Sequence, residues 1–255
     1  MATEAKPYIN LSVVAIASYE DMPLLDEFLA NVPDGCEVVI LFNKRGETCT
    51  DPALVKEMVI HNNVVYTAYE MQYTEPYKSF AELRNLAGQY ATRSWVLAMD
   101  MDERLADASR DWFDKNLDKY PQGIAGLFVG IAGCMRNIEE PDTVTRYNES
   151  AVRLYRNLSE LYYVGDCHEQ IIYSVQRAGY NTADCSVQIL HSGYTVDPAR
   201  LRAKLQRNVY LLAKTFVKIV DIDADNIGFF TQLLARDSNN FLSLLDKDRN
   251  NGNNE

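Results

Sequence analysis

The sequence contains no apolar run as long as a membrane span, and its first residues, MATEAKPYIN, lack the basic start and apolar stretch of a secretion signal. A soluble, cytoplasmic chain is the expectation. Cysteine is sparse: Cys36, Cys49, Cys134, Cys167 and Cys185 are odd in number and never spaced as CxxC. That pattern excludes a disulfide framework and a zinc knuckle, and it predicts free thiols. Positive charge is in deficit, with a formal net charge of −11, which excludes broad, unspecific binding to phosphate backbones while leaving room for one local basic face. Internal repeats and low-complexity linkers are also missing. What is present suffices for a large core, since 47% of the 255 residues are hydrophobic.

Along the chain, Leu11 to Ala17 (LSVVAIA) is a short, β-branched apolar run followed by the loop SYEDMP and an amphipathic stretch from Leu24 to Leu29. This reads as strand, loop, helix. The unit recurs with EVVILF (Glu37 to Phe42), the polar loop NKRGETCTDP, a helical pattern from Ala53 to Ile60, and the strand VVYTA (Val64 to Ala68). Phe80, Leu83, Leu86, Ala87 and Tyr90 fall at helical spacing over Ser79 to Tyr90, and WVLAM follows as a fourth strand. Continuous apolar strands alternating with helices predict an α/β fold with a mixed, mostly parallel sheet flanked by helices. Further strands are expected over Gly123 to Gly133, Ser150 to Tyr155 and Val187 to His191. A long helix should run from Pro198 to Val220 and another from Ile227 to Leu245. The expected layout is an α/β domain over 1–197, a helical C-terminal arm over 198–245 and a disordered tail over 246–255, where DKDRNNGNNE has little to bury.

The fourth strand ends abruptly in SWVLAMDMDERL, where Asp100, Asp102 and Glu103 follow the apolar run Trp95 to Met99. Side chains at i and i+2 of an extended strand project to one side, so Asp100 and Asp102 present their oxygens together. Adjacent carboxylates repel and call for positive charge. A divalent cation, Mn²⁺ or Mg²⁺, answers that need, because such ions take one or two protein carboxylates plus substrate phosphates. Simple solvation at a strand-to-loop junction is the alternative for the motif taken alone. The location favours a ligand, since open α/β sheets bind theirs beyond the carboxyl ends of the strands.

The stretch SFAELRNLAGQYATRSWVLAMDMDERL (Ser79 to Leu105) resembles the helix, RN pair and DADE-type segment of family 2 glycosyltransferases with the GT-A fold, in the branch of lipopolysaccharide core and peptide S-glycosyltransferases. Matching segments follow in order: RLYRN (Arg153 to Asn157), VGDCHEQI (Val164 to Ile171), ILHSGY (Ile189 to Tyr194) and KLQRNVYLL (Lys204 to Leu212). The resemblance spans about residues 10 to 215. It implies a Rossmann-like GT-A domain and inverting, metal-dependent transfer of a sugar from a nucleotide-diphosphate donor to an acceptor hydroxyl or thiol. By the same resemblance, Asp102 binds the metal directly, Asp100 contacts the ribose or a metal-bound water, and His191 completes the metal shell. IASYED (Ile16 to Asp21) matches the loop that holds the nucleotide base, with Ser18, Tyr19 and Glu20 as contacts. Arg84 and Met101 sit at positions near the donor. Where the family carries an aspartate after the second strand this chain has Phe42 and Asn43, and Asn43 can still donate and accept hydrogen bonds. UDP is favoured over GDP and CDP.

The acceptor must lose a proton as it attacks, and a carboxylate within hydrogen-bond reach suits that role. Glu169 occupies the motif position of a catalytic acid and is the candidate base, with His168 as its alternative. Arg200, Arg202, Lys204, Arg207, Lys214 and Lys218 make one helix basic. That face is either solvated or laid over the diphosphate and an anionic acceptor. Among the 16 tyrosines, Tyr73, Tyr77, Tyr162, Tyr163 and Tyr194 lie near the expected site loops. A nucleotidyltransferase is excluded because IASYEDMP contains no glycine to form a phosphate loop. A DxD phosphatase is excluded because its motif belongs on the first strand. A hydroxymethylated base in phage DNA, a saccharide and a peptide all stay open as acceptors, as does a GT-A domain that binds nucleotide sugar or glycan without turnover.

Overall fold

The computed structural model describes residues 9–60, 64–136, 144–194, 198–217 and 224–252. The chain runs through β1 (Leu11–Ala17), a 3-10 turn (Tyr19–Leu24), α1 (Leu25–Asn31), β2 (Glu37–Arg45), β3 (Ala53–Ile60), β4 (Val64–Tyr73) and α2 (Phe80–Gly88). It continues with β5 (Trp95–Ala98), β6 (Glu103–Leu105), α3 (Asp107–Arg110), α4 (Trp112–Asn116), β7 (Ile124–Arg136), β8 (Val144–Arg156), α5 (Ile172–Arg177) and β9 (Asn181–Tyr194). Two long helices, α6 (Pro198–Val217) and α7 (Ala224–Gly252), complete it. Among these residues nine strands form one mixed sheet in the order β3-β4-β2-β1-β5-β8-β7-β9-β6.

Parallel pairing dominates where strand and helix alternate: β1 lies between β2 and β5, and β4 follows β2, all parallel. In the second half β8 runs antiparallel to both β5 and β7, while β9 is parallel to β7. The α/β class read from the sequence is therefore the class observed. Along β1, Leu11, Val13, Ala15 and Ala17 pack into one core with Phe28 and Leu29 of α1, whereas Val14 packs into the other with Leu83 and Ala87 of α2. This period-2 division explains why β1 reads as an unbroken apolar run: both its faces are covered.

Several elements depart from the sequence reading. Ala53 to Ile60, expected as a helix, is the strand β3, antiparallel to β4. Leu54, Val55, Met58 and Val59 imitate helical spacing, but the β-branched side chains favour a pleated surface and the neighbouring β4 supplies a ladder. The register shifts between Leu54 and Lys56, a bulge in this edge strand. β8 and β9 are longer than their apolar segments because their polar ends still pair with β7. Helix α7 continues through Gly252, past the expected start of a disordered tail. No helix among the described residues is long and apolar enough to cross a membrane, and all the cysteines are free thiols.

Candidate active site

Helix α2 begins at Ser79, whose hydroxyl accepts from the Glu82 amide at 3.3 Å, an N-cap that fixes where the helix starts. The RN pair on this helix divides two tasks. Asn85 accepts from the Tyr163 amide at 2.6 Å and donates to the Tyr163 carbonyl at 3.0 Å, which clamps the following loop to α2. Arg84, only 5% exposed, points its guanidinium the other way, with Nη2 2.6 Å from Asp100 Oδ1 and Nε donating to Glu169 Oε1. Arg84 thus joins the acidic strand end to the loop that carries Glu169.

The three acids after β5 occupy different environments. Glu103 is fully buried in β6. It accepts from the Asp100 amide at 2.8 Å and from Arg153 Nη2 of β8 at 3.2 Å. Burial raises its carboxyl above the ordinary value, with Asp100 adding to the effect and Arg153 opposing it. Asp100 also has burial against ionisation, yet Arg84 and Arg153 outweigh it and hold the carboxyl well below the usual carboxylate range. Asp102 lies 3.5 Å from His191 Nε2. Burial would lower the His191 imidazole, but Asp102, Glu103 and Asp100 together raise it. The opposite ring nitrogen, Nδ1, is 2.6 Å from the Tyr147 hydroxyl, so the ring is oriented from behind. Tyr147 in turn lies over Gly133, where an added Cβ would sit 2.4 Å from its hydroxyl oxygen. A side chain at this position would push the Tyr147 ring away from His191.

The acidic cluster is thereby split. Positive charge does sit beyond the paired aspartates, but for Asp100 and Glu103 it is supplied by two guanidinium groups. Among the described residues no three His, Cys, Asp or Glu side chains are grouped to hold a metal ion. Asp102 and His191 still offer a carboxylate oxygen and an imidazole nitrogen at one place, a pair that fits Mn²⁺ or, less well, Mg²⁺ when phosphate oxygens complete the shell.

These residues line a cleft of about 1080 Å³. Glu20, Arg84, Asp100, Met101, Asp102, His168, Glu169 and His191, all singled out from the sequence, contribute to its wall, and so do Lys204 and Arg207 of α6. Burial lowers the Lys204 ammonium, with Asp102 and Asp100 opposing. Arg207 stacks on Phe80, 4.7 Å from the ring centroid. Tyr77 and Tyr163 line this cleft, whereas Tyr162 faces a separate pocket of about 310 Å³. The side chains of Arg200 and Tyr194, and residue Lys218, lie outside the described residues.

Ser18, Tyr19 and Asn43 sit next door and are engaged locally. Ser18 donates its amide and hydroxyl to Asp21 at 2.7 and 2.9 Å. Tyr19 donates to Glu70 and packs 5.6 Å from Phe42. Asn43 donates to the Ala17 carbonyl at 2.8 Å, tying β2 to the end of β1.

Glu169 and His168 are adjacent but differently held. His168 has φ +54, a left-handed conformation costing a non-glycine residue about 1–2 kcal/mol. Its Nε2 lies 3.1 Å from Asp237 Oδ2 on α7. Sequence reasoning gave no role to Arg153, Tyr147 or Asp237. The usable signal for Arg153 was a charge inside the apolar run AVRLY. Tyr147 and Asp237 lie in polar stretches that carry no such mark.

No protein-family model matches the chain, and no curated protein matches it either. Solved structures similar to it include S. aureus TarS 1–349, at 10% identity and a TM-score of 0.46, covering 92% of this chain and 70% of that one. The same fragment in complex with UDP-GlcNAc has 12% identity and a TM-score of 0.46, covering 91% and 72%. In complex with UDP it has 14% identity and a TM-score of 0.45, covering 91% and 70%. Likenesses at this level carry no residue role from one chain to another, so the functional reading rests on this chain's own side chains.

Proposed function

We propose that the protein is a GT-A-type glycosyltransferase that moves a sugar from a nucleoside-diphosphate donor, UDP-linked in first choice, to an acceptor hydroxyl or thiol. The observation that carries this reading is Arg84, which links Asp100 at the strand end to Glu169 in one large cleft. Acids suited to the donor and a carboxylate suited to the acceptor thereby face a common space.

In this reading Asp102 and His191 would hold Mn²⁺ or Mg²⁺, which would supply Lewis-acid compensation for charge developing on the departing diphosphate. Asp100, neutralised by Arg84 and Arg153, orients the donor through its remaining hydrogen-bonding capacity. Lys204 and Arg207 add positive charge from α6 toward the phosphates. Glu20 and Met101 border the nucleoside. Glu169 takes the acceptor proton on Oε2, since Arg84 already occupies Oε1.

Nucleoside-diphosphate binding is expected to require the cation. Titration calorimetry with UDP, GDP and CDP, with Mn²⁺ and then with EDTA, measures this. Equal affinity in EDTA for the best nucleotide would sink the metal role. Asp102→Asn should abolish most of the binding, and His191→Ala less.

A single in-line displacement also predicts inversion. Attack comes from the face opposite the leaving diphosphate, so NMR of the product from an α-linked donor should show a β linkage. A retained α linkage contradicts the mechanism.

A further inference from the structure

We propose that Asp237, on the C-terminal helix α7, is a positioning residue that sets the aim of Glu169 by holding His168; the proposal rests on the reading of Glu169 given above. The loop that carries both residues is closed at its neck by paired backbone hydrogen bonds between Val164 and Gln170, each 2.9 Å. Inside that neck the backbone is unusual twice. Gly165 has φ +96, and an added Cβ there would meet the Phe230 ring of α7 at 2.6 Å. His168 has φ +54, without glycine's freedom. A left-handed histidine persists only where its surroundings hold it, and here the holder is identifiable.

Asp237 is 2% exposed and sits where α7 packs on α6. Its Oδ2 accepts from Asn208 Nδ2 of α6 at 3.2 Å and lies 3.1 Å from His168 Nε2. Its Oδ1 accepts from Arg236 Nε at 2.8 Å. Arg236 Nη2 lies 3.2 Å from the same His168 nitrogen, so the ring is held by α7 in either tautomer: protonated at Nε2 it donates to Asp237 Oδ2, and unprotonated there it accepts from Arg236, which Asp237 itself orients through Oδ1. Phe230 and Cys167 share one apolar cluster with Leu211 and Leu212 of α6. The loop is thus fastened to the helical arm by an apolar contact before Glu169 and by the hold on His168 beside it. Asp166 adds a tie to each side, its amide donating to Thr215 Oγ1 of α6 and its carbonyl accepting from the Phe80 amide of α2, both at 2.9 Å, and Glu169 itself is tied to Arg84 of α2. With His168 released, its backbone is free to leave the left-handed region, which would swing the Glu169 carboxylate.

The test is kinetic, on the full chain with a nucleotide sugar that supports turnover. Asp237→Asn should lower kcat by up to about 10²-fold, the scale of a 1 Å misplacement, while the donor KM stays unchanged. In a Glu169→Gln background the same substitution should change kcat no further, because the group being aimed is already gone. His168→Gln should reproduce the loss, and the double variant with Asp237→Asn should be no slower than the slower single. Wild-type kcat in Asp237→Asn, or an equal loss with and without Glu169, overturns the proposal. Should Asp237→Asn fail to fold, Asp237→Glu carries the test: kcat should fall with KM unchanged, and an unchanged kcat overturns it. If the wild-type chain turns over no donor, the transferase reading fails, and positioning is then read by NMR alone. In that case Asp237→Asn, or Asp237→Glu in its place, should shift both the His168 ring nitrogens and the Glu169 amide, and an unmoved Glu169 amide overturns the proposal.

Discussion

Glu169→Gln is expected to lower kcat by about two to four orders of magnitude, the usual worth of general base catalysis, with nucleotide affinity barely changed. The side chain lies against Arg84, and an amide oxygen at the same place still accepts from that guanidinium. The Arg84 contact to Asp100 at 2.6 Å therefore survives, and with it the donor half of the cleft. What is lost is the ability to take a proton. His168→Ala is the control, expected to be slower than wild type but faster than Glu169→Gln. Near-full activity in Glu169→Gln with a dead His168→Ala would make the histidine the base. Full activity in both would point to an acceptor acidic enough to need little help, such as a thiol.

Arg153→Met should destabilise the fold by about 3 kcal/mol, the lower end of the range for breaking a buried pair, because the Arg153 head keeps some contact with solvent while its partner Glu103 has none. The midpoint of urea denaturation reads this directly. The effect also has a pH signature. Glu103 already has a raised carboxyl pKa in the folded protein, and loss of Arg153 raises it further. Between the unfolded value and the raised folded one, the native state binds more protons than the unfolded chain, so stability falls as pH rises through that window. The deficit of the variant should be larger at about pH 8 than at about pH 5. Adding Glu103→Gln should recover much of it. A deficit independent of pH would mean that packing, and not the stranded carboxylate, causes the loss.

The parts of this architecture legible in the sequence are those whose cause is local. β1, β2, β5 and α2 announce themselves because burial on both faces, or on one stripe, writes a period into neighbouring residues. The acidic cluster was legible as a demand for positive charge. Which charge answers it was not, because Arg84 and Arg153 lie 16 and 53 positions from Asp100 or are brought to it only by the sheet order β5-β8. β3 was misread since its apolar spacing fits a helix as well as a strand until β4 is placed beside it. The hold of Asp237 on His168 spans 69 positions, and nothing in ARDSN distinguishes that aspartate from a solvated one.

The two margins of the sheet differ in what they offer to a strand from another molecule. One rim is β3, where Leu54 and Val55 are more than half exposed, an inviting rail for a strand from another molecule. The bulge between Leu54 and Lys56 breaks the regular spacing of its unpaired amides and carbonyls, so an incoming strand can match only a few before falling out of step. The outermost strand on the opposite side, β6, is three residues long and pairs only with Ile189 to His191 of β9, too short to template a ladder itself. The bulge is thus the main guard of the β3 rim, and straightening it by deleting Val55 would be the change to fear in any effort to engineer the chain.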